Sequence, residues 1–378
     1  MNYNQKYYKL VTKNQRMKTK ITVLVFAFLA IPMMMEAAHK NDRGRYTKEK
    51  KIKKEFSVNP DAQLMIKNSY GNIDMVSWNE NRIVIEVHVK TNGNNEEKVQ
   101  DKLDDITVAF EGNGTFVSAK TSFNKGKNRS WWNSWNDNNV NMEVHYTVKV
   151  PVTNSIDIRN DYGGISLNRI EGIAKISCDY GKLTLGELMA EDNYLNFDYT
   201  KNSTIGYMRS GRINADYSSF VLEKGGDIDL NADYSKSEFG AIENLNYVCD
   251  YGSVITRVTK DIVGRGDYLS AKLGTVHGNV NINADYGSIR IEEMSEKAGD
   301  VIIQSDYTGI KIGYDAQYNF TFNITLEYAG FSGKEALTIN KERIQNSDKY
   351  YEGYYGSSST ANNININSEY GGVTLTRL

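Results

Sequence analysis

The chain has 378 residues, a formal net charge of -2 and a sequence pI of about 6.2. A net charge this close to zero creates no bulk field that attracts nucleic acid or anionic lipid, so neither is an expected partner. Proline occurs only at Pro32, Pro60 and Pro151. This scarcity suits a sheet whose strands have neighbours on both sides, because proline cannot donate a hydrogen bond to a strand ladder.

The N-terminus has the pattern of an export signal. Lys18 and Lys20 precede an apolar run over residues 21–35, and the small residues Ala37 and Ala38 follow it. A basic flank, an apolar core and small residues at its end are typical of a secretory signal peptide. The alternative is an uncleaved membrane anchor, although the apolar run is short for a membrane span.

We therefore assign residues 1–38 to a signal peptide. The stretch before Met17 is long for such a signal, so we expect translation to start at Met17. The protein is predicted to be exported, to the periplasm, the cell surface or the medium, and to contact the membrane only through this signal.

Residues 46–150 are interpreted as an N-terminal cap that includes the first repeat unit. Strands are expected from Phe56 to Val89, and the charged stretch 95–105 carries Val99 and Leu103 at the spacing of a short helix. Caps of this kind are needed because a stack of repeats leaves open strand edges at its ends.

Residues 108–121 and 140–150 are predicted to form a strand pair. The polar segment between them is then a hairpin loop rich in tryptophan. Aromatic residues in a long loop on a rigid scaffold often bind ligands, and the alternative is that they pack back on the cap. The candidate ligand-contact residues of this loop are Trp131, Trp132 and Trp135.

An Asp-Tyr pair recurs along the second half of the chain, with successive tyrosines 17 to 21 residues apart. Later members carry glutamate, in Glu327-Tyr328 and Glu369-Tyr370, and an early one carries serine, in Ser69-Tyr70. Self-similarity at such a period is the signature of a repeat architecture. The pairs are Asp161-Tyr162, Asp179-Tyr180, Asp198-Tyr199, Asp216-Tyr217, Asp233-Tyr234, Asp250-Tyr251, Asp267-Tyr268, Asp285-Tyr286 and Asp306-Tyr307.

Apolar and small residues alternate before each pair, as in Ile228, Leu230 and Ala232, and resume after it, as in Ile289 and Ile291. Alternation with a period of two is typical of a strand with one buried face. Glycine often follows the tyrosine directly, where it would permit a sharp bend with positive φ. Each unit is therefore predicted to be a strand, a bend, a second strand and a turn. The glycines concerned are Gly163, Gly181, Gly252 and Gly287.

A unit of about 18 residues cannot bury its apolar face alone, whereas stacked copies can. The sequence thus predicts an all-β fold, a single-stacked β-solenoid with right-handed parallel coils. About 11 to 12 coils would occupy residues 151–378, with an irregular insertion over 333–363 and a last coil at 364–375. The alternative is a sandwich or an antiparallel barrel.

The two cysteines, Cys178 and Cys249, each stand two residues before the tyrosine of an Asp-Tyr pair. Four repeats separate them, which places them ~19 Å apart at ~4.8 Å per coil. A disulfide requires Cα atoms within ~7 Å. Two buried, unpaired thiols are therefore expected.

The aspartate column has two possible roles. A side chain beside a bend accepts hydrogen bonds from nearby backbone N–H groups, which makes the column structural. Stacked carboxylates could instead bind cations such as calcium, although the glycine-rich nonapeptide signature of calcium-binding solenoids is absent.

The tyrosine column also has two possible orientations. Each tyrosine stands an even number of residues after the apolar residues of its strand, so in an extended strand it would face the core with them. This favours rings that point inward over small residues such as Ala232 and Ala284. If the bend turns the rings outward, they form an exposed aromatic ladder that could stack on sugars.

No catalytic, cofactor-binding or metal-binding residues are assigned. The four histidines show no metal-ligand spacing, and neither a nucleophile elbow nor a phosphate-binding loop is present. Polysaccharide lyases show that β-helices can be enzymes, but they cluster their acids, whereas here the acids form a uniform ladder. A non-enzyme is therefore the favoured reading.

The chain resembles the putative adhesin family of bacterial envelope proteins. The resemblance rests on the signal peptide, on residues 56–58, on Asn68-Ser69-Tyr70-Gly71-Asn72-Ile73, on the Asp-Tyr-Gly repeats and on the closing segment 368–373. It implies an exported adhesin or interaction scaffold with an unknown protein or glycan partner and no cofactor. The alternatives are a periplasmic structural or signalling component and a carbohydrate-active enzyme.

Overall fold

A computed structural model describes residues 44–123 and 140–378 of the chain. These ranges hold 27 strands, one α-helix, α1 (Glu96–Asp105), and one 3-10 helix at Lys334–Ala336. The predicted all-β fold with one short helix is confirmed. The predicted signal peptide lies outside the described residues, and no helix within them has the length and apolar character needed to cross a membrane.

The N-terminal region contains α1 and the first seven strands. These strands are β1 (Tyr46–Ser57), β2 (Gln63–Ser69), β3 (Ile73–Trp78), β4 (Arg82–Gly93), β5 (Ile106–Gly112), β6 (Phe116–Phe123) and β7 (Asn141–Pro151).

The regular repeats occupy the next fourteen strands. They are β8 (Ser155–Asp161), β9 (Ile165–Ile170), β10 (Ala174–Asp179), β11 (Leu183–Leu188), β12 (Asn193–Asp198), β13 (Ser203–Asn214), β14 (Ser219–Asn231), β15 (Lys236–Val248), β16 (Gly252–Asp267), β17 (Leu269–Val276), β18 (Val280–Asp285), β19 (Ser288–Met294), β20 (Val301–Asp306) and β21 (Gly309–Tyr314).

The C-terminal region contains the remaining six strands. They are β22 (Phe320–Glu327), β23 (Phe331–Ser332), β24 (Thr338–Gln345), β25 (Asp348–Tyr355), β26 (Asn363–Glu369) and β27 (Val373–Arg377).

Each coil consists of two strands that meet at a corner tyrosine. In one coil, β8 ends at Asp161, Tyr162 forms the corner, and β9 begins at Ile165. Strand β8 pairs in parallel with β2 and β10, whereas β9 pairs in parallel with β3 and β11. The first strands of all coils thus stack into one sheet, which we call sheet A, and the second strands stack into sheet B.

Sheet A contains twelve first strands, so the stack has twelve coils. The long strands β13 to β16 each supply the second strand of one coil and the first strand of the next. In stacking order, sheet A runs β2, β8, β10, β12, the second halves of β13, β14, β15 and β16, then β18, β20, β26 and β22.

The stacking order departs from the sequence order near the C-terminus. Strand β26 lies between β20 and β22, and β27 lies between β21 and β23, all in parallel. The coil that ends the chain therefore occupies the last position but one in the stack. The prediction placed this coil at the end, because a sequence repeat does not reveal that a later segment can insert between two earlier coils.

Antiparallel strands cover both ends of the stack. At one end β4 pairs antiparallel with β1 and β7, and β5 pairs antiparallel with β6. At the other end β25 pairs antiparallel with β22 and β24. Such caps hide parallel edges that would otherwise pair with another chain.

The predicted pairing of the two strands around the tryptophan segment is wrong. Strand β6 pairs with β2 of sheet A, whereas β7 pairs with β3 of sheet B and with β4. The strands β6 and β7 do not pair with each other in the part of the chain that the structure describes. Trp131, Trp132 and Trp135 lie outside the described residues.

The helix α1 forms where its spacing predicts it. Asn95 caps the helix by accepting a hydrogen bond from the backbone N–H of Lys98 at 3.0 Å. The acidic residues Glu96 and Glu97 stand in the first turn, where they complement the helix dipole. Val99 and Leu103 are buried one turn apart. The short helix predicted from these two residues is confirmed.

The core lies between sheets A and B and is built by the predicted alternation. Ile156 and Ile158 of β8 are buried, as are Ile165 and Leu167 of β9, while the residues between them face outward. Cys178 and Cys249 are buried and unpaired, as expected.

Candidate interaction surface

The corner tyrosines adopt left-handed backbone conformations. All twelve have φ between 49° and 64°. The prediction assigned positive φ to the glycine that follows, and this prediction is wrong, because Gly163, Gly181, Gly252 and Gly287 are not among the residues with positive φ. The tyrosines are Tyr70, Tyr162, Tyr180, Tyr199, Tyr217, Tyr234, Tyr251, Tyr268, Tyr286, Tyr307, Tyr328 and Tyr370.

The glycines after the tyrosines instead allow the backbones of neighbouring coils to approach closely. A Cβ on Gly181 would lie 2.1 Å from the carbonyl oxygen of Gly163, and one on Gly163 would lie 2.0 Å from that of Gly71. Such contacts are well inside van der Waals distance, so a side chain at these two glycines would require the local backbone to shift. Some coils carry a hydroxyl residue here, as Ser235, whose Oγ donates to the carbonyl of Ala215 at 2.7 Å.

The corner rings point outward, so the inward orientation that the sequence favoured is wrong. The exposed fraction of the twelve tyrosines ranges from 37% for Tyr199 to 59% for Tyr328. The parity argument fails because it assumes extended backbone through the corner. A single left-handed residue breaks the alternation of the strand and turns its side chain to solvent.

The twelve rings form one continuous stack, which we call the tyrosine column. Neighbouring ring centroids are 4.6 to 5.2 Å apart, and neighbouring planes differ by 1° to 11°. Tyr328 ends the column on Tyr370 at 4.8 Å, and Phe123 packs edge-on against Tyr70 at the other end. Because the neighbours occupy the ring faces, the column presents ring edges and hydroxyls to solvent, and sugars cannot stack on its interior rings.

The aspartates before the tyrosines bind the backbone of the next coil. The N–H of Asp250 donates to Oδ1 of Asp233 at 2.9 Å, and the N–H of Asp267 donates to Oδ1 of Asp250 at 2.8 Å. The same bond joins other neighbouring coils at 3.0 to 3.4 Å. These bonds favour the structural role of the column over a cation site. The predicted aspartates are Asp161, Asp179, Asp198, Asp216, Asp233, Asp250, Asp267, Asp285 and Asp306.

Stacked carboxylates repel one another, and the pKa values show this. Partial burial, followed by the charge of neighbouring aspartates, raises the pKa of Asp179, Asp233 and Asp267. Glu369 continues the row and its pKa is raised first by Asp306. Within residues 44–123 and 140–378, no three or more histidine, cysteine or acidic side chains are grouped to hold a metal ion.

The outer face of sheet B has a different electrostatic character. Arg169 pairs with Glu187 on the neighbouring coil, and Glu292 is within 2.7 Å of the Arg290 guanidinium. The hydrogen bonds from Arg290 lower the pKa of Glu292. Ion pairs between opposite charges thus form on this face, while carboxylates repeat along the corner.

The two thiols of the described residues are buried. Burial raises the pKa of Cys178 and of Cys249 to about 12, so both stay protonated near neutral pH. His88 and His145 are half-buried and lie opposite each other on β4 and β7, each beside a glutamate.

A row of carboxamide side chains was missed by the sequence reasoning. Asparagine stands three residues before several corner tyrosines and faces outward from sheet A, beside the aspartate column. The recurrence of asparagine three residues before the tyrosine was visible in the sequence. Its members include Asn196, Asn214, Asn231, Asn283 and Asn367.

Comparisons with known proteins give only distant likenesses. A putative adhesin from Parabacteroides merdae is 9% identical with a TM-score of 0.33, and the alignment covers 88% of this chain and 97% of that one. A putative cell adhesion protein from Clostridium sporogenes is 11% identical with a TM-score of 0.19, covering 88% and 100%. A putative lipid binding protein from Parabacteroides distasonis is 8% identical with a TM-score of 0.28, covering 88% and 98%.

No family model and no curated protein matches the chain. At TM-scores this low, the likenesses support no inference about the activity or partners of this protein.

Proposed function

We propose that the protein is an exported, non-enzymatic scaffold of the bacterial cell envelope that presents a rigid surface to a protein or glycan partner. The observation that supports this proposal is the tyrosine column, an exposed aromatic surface that extends without a break over twelve coils. The same proposal includes the β-solenoid class with right-handed coils, the cap at 46–150 and the adhesin family resemblance, which agree with it.

An exposed aromatic surface of this extent is unusual for a protein without partners. Monomeric soluble proteins rarely expose contiguous apolar patches of more than a few hundred Å², and larger patches mark interaction sites. Tyrosine suits such a site because its ring supplies apolar contact area and its hydroxyl supplies a hydrogen bond.

The surface is also rigid, which lowers the entropic cost of binding. Each interior ring is held between two neighbours, and beside rings such as Tyr251 and Tyr268 the backbone is held by the bond from an aspartate N–H to the preceding aspartate carboxylate. A partner that docks on the column therefore meets side chains that are already ordered.

The repetition favours binding over catalysis. A catalytic site needs different groups that converge on one reacting atom. The corner instead repeats one carboxylate and one phenol in coil after coil, so no position along the column is chemically distinct from its neighbours.

The experiment that tests the proposal is protease shaving of intact cells that express the protein, followed by detection with an antibody against residues 151–378. A periplasmic protein serves as the control for envelope integrity. Digestion while the control survives is the expected result and places the column outside the cell. Protection until the outer membrane is permeabilised would assign the protein to the periplasm and overturn the adhesin role, and an undigested cytosolic pool would overturn export.

A further inference from the structure

The tyrosine column has different electrostatic surroundings in its two halves. On its sheet B side, Lys182 and Lys236 stand exposed two positions after their tyrosines, and Lys201 lines a shallow hollow beside the column. From the coil of Tyr251 to the end of the stack, the position two after the tyrosine holds only serine or glycine, so this flank is uncharged. These residues are Ser253, Ser270, Ser288, Gly309, Gly372 and Gly330.

The sheet A side of the same six coils carries an unbroken row of carboxylates. The strands hold these carboxylates in register, so neighbours along the stack are separated by one coil, ~4.8 Å. We call the six carboxylates, together with the six exposed tyrosines that follow them, the acidic strip. Its members, in stacking order, are Asp250-Tyr251, Asp267-Tyr268, Asp285-Tyr286, Asp306-Tyr307, Glu369-Tyr370 and Glu327-Tyr328.

The protein itself leaves the charge of the acidic strip largely uncompensated. No lysine or arginine within residues 44–123 and 140–378 forms an ion pair with these carboxylates. Arg265 is the charged residue in the neighbouring row of sheet A, and it offsets part of the repulsion that raises the pKa of Asp267. Two of the three basic residues further out on sheet B are already held by Glu292; the three are Lys272, Arg290 and Lys311.

The acidic strip also offers hydrogen-bond acceptors that have no donor. Asp285 accepts the N–H of Asp306 on Oδ1 at 3.1 Å, and Asp250 accepts the N–H of Asp267 on Oδ1 at 2.8 Å, so each of these two acceptors keeps its second oxygen unpaired. The hydroxyls of the six tyrosines make no hydrogen bond within the described residues. A side chain that carries several donors and a positive charge would satisfy both kinds of oxygen.

The spacing suits separate donors better than a metal ion. Calcium needs six to eight oxygen ligands that converge on one point, whereas the strip presents its oxygens one coil at a time. Within the described residues, no three acidic, histidine or cysteine side chains are grouped for a metal ion. A guanidinium has five N–H donors and no acceptor, and an ammonium has three, so either can bridge neighbouring coils.

We propose that the acidic strip binds an extended segment of a partner protein rich in arginine or lysine, which runs along the tyrosine column. This inference rests on the proposed scaffold function and names its partner class. The strip spans five coil intervals, roughly 24 Å, which about seven extended residues cover at ~3.4 Å each. Arginine and lysine have aliphatic stems that can cover the exposed ring edges while their charged ends reach the carboxylates, whereas the ammonium of an amino sugar has no such stem.

The test is fluorescence anisotropy of a fluorescein-labelled nona-arginine peptide titrated with the purified full-length chain. The salt concentration is about 0.15 M, at which exposed charges more than ~8 Å apart are largely screened. We expect saturable binding, with competition by unlabelled nona-lysine and none by nona-glutamate. The variant Asp285→Asn with Asp306→Asn keeps the Oδ1 acceptors and should bind at least fivefold more weakly.

The matched control is Asp179→Asn with Asp198→Asn. Both aspartates likewise accept the N–H of the next coil, at 3.4 and 3.2 Å, so the change in charge and in hydrogen bonding is the same. Their coils lie beside Lys182 and Lys201, outside the acidic strip, and the affinity should change less than twofold. Circular dichroism and the thermal midpoint of each variant establish that it is folded.

A second pair of variants should strengthen binding. Lys236 is in register with Ser253 at the start of the acidic strip, so Lys201→Ser with Lys236→Ser removes the cations that border it. We expect a severalfold gain in affinity for nona-arginine. Lys51→Ser with Lys54→Ser, on β1 of the N-terminal region, makes the same change in net charge away from the column and should leave the affinity unchanged.

Three results would overturn the proposal. They are no saturable binding of nona-arginine, equal weakening by the two aspartate pairs, or displacement by a chitosan oligomer at lower concentration than by nona-lysine, which would make the partner a cationic glycan. Binding in solution does not depend on where the cell places the protein. A periplasmic location would therefore contradict the adhesin role without contradicting the basic-partner site, and loss of that site would leave export and the scaffold role standing.

Discussion

The corner of the stack and the outer face of sheet B have the same spacing between coils, but they differ in which side chains meet across that spacing. The corner repeats aspartate and tyrosine, so that like groups stand next to like. The face instead holds ion pairs between opposite charges, as where Arg169 meets Glu187. At the corner, the N–H of an aspartate that precedes a left-handed tyrosine donates to the carboxylate of the preceding aspartate, which favours repetition, whereas the face needs only to be solvated.

The electrostatic consequence is visible in the pKa values. Burial and neighbouring carboxylates raise the pKa of Asp233 at the corner, whereas Arg290 lowers the pKa of Glu292 on the face. Repulsion at the corner is therefore tolerated because stacking and hydrogen bonds offset it.

The largest effect is expected where the corner leaves no space. In Gly181→Ala the new Cβ would lie 2.1 Å from the carbonyl of Gly163 and 2.8 Å from Sγ of Cys178. We expect a loss of about 3 kcal/mol in the free energy of unfolding, measured by urea titration, because the backbone at this corner must shift to accommodate the Cβ. Gly309→Ala is the control, since nothing lies within 4 Å of its Cβ position. Equal behaviour of the two variants would contradict the close approach.

The next effect separates stacking from backbone strain at the corner. Tyr251→Ala removes two ring contacts, at 4.8 and 4.7 Å, and keeps a Cβ in the left-handed conformation, so it should cost about 2 kcal/mol. Tyr251→Gly removes the same contacts but relieves a strain of about 1 kcal/mol, so it should cost less. The comparison uses urea midpoints. A glycine variant less stable than the alanine variant would show that strain is not a factor there.

The end of the column should tolerate the same change better. Tyr328 stacks on Tyr370 alone among its described neighbours. Tyr328→Ala should therefore cost about half as much as Tyr251→Ala, on the order of 1 kcal/mol, in the same urea titration. A loss as large as that at Tyr251 would mean that the column does not act through pairwise stacking.

The smallest expected effect is a pH dependence of opposite sign at corner and face. Asp179, Asp233 and Asp267 have raised pKa values in the folded state, so the folded state binds their protons more tightly than the unfolded chain does. Their contribution to stability increases as pH falls from neutrality through the raised values toward the ordinary 3.8. Glu292 has a lowered pKa, so its contribution is lost on acidification.

The variant that isolates the pH-dependent contribution of Asp233 is Asp233→Asn, which retains Oδ1 as an acceptor for the N–H of Asp250. Between pH 7 and pH 4.5 the unmodified protein should gain stability relative to this variant, by less than about 1 kcal/mol because the column is partly solvated. The differential urea midpoint measures the gain. A relative loss of stability on acidification would contradict the raised pKa of Asp233.

Much of the fold could be predicted from local patterns. Alternation of apolar residues identified the buried rows, the spacing of Val99 and Leu103 identified α1, and the common position of Cys178 and Cys249 identified two separate thiols. These predictions are confirmed because each depends on a short stretch of chain and on a period that its secondary structure imposes.

The candidate surface was harder to predict. The orientation of the tyrosine rings depends on one dihedral angle per coil, and the alternation pattern does not report it. The role of Gly181 depends on a carbonyl of the preceding coil, and the pairing of Tyr194 with Asn214 joins two coils. None of these contacts is local in sequence.

By itself, the sequence determined an all-β stack of corner-containing units, the residues that fill its core and the absence of a disulfide, because strand periodicity and the repeat length require them. Only the tertiary structure decided that the tyrosines face solvent, that the final segment inserts between β20 and β22, and that antiparallel strands close both ends. The reason is physical: the repeat specifies how one coil fits its neighbour, but not which neighbour it meets, nor how a left-handed corner aims its side chain.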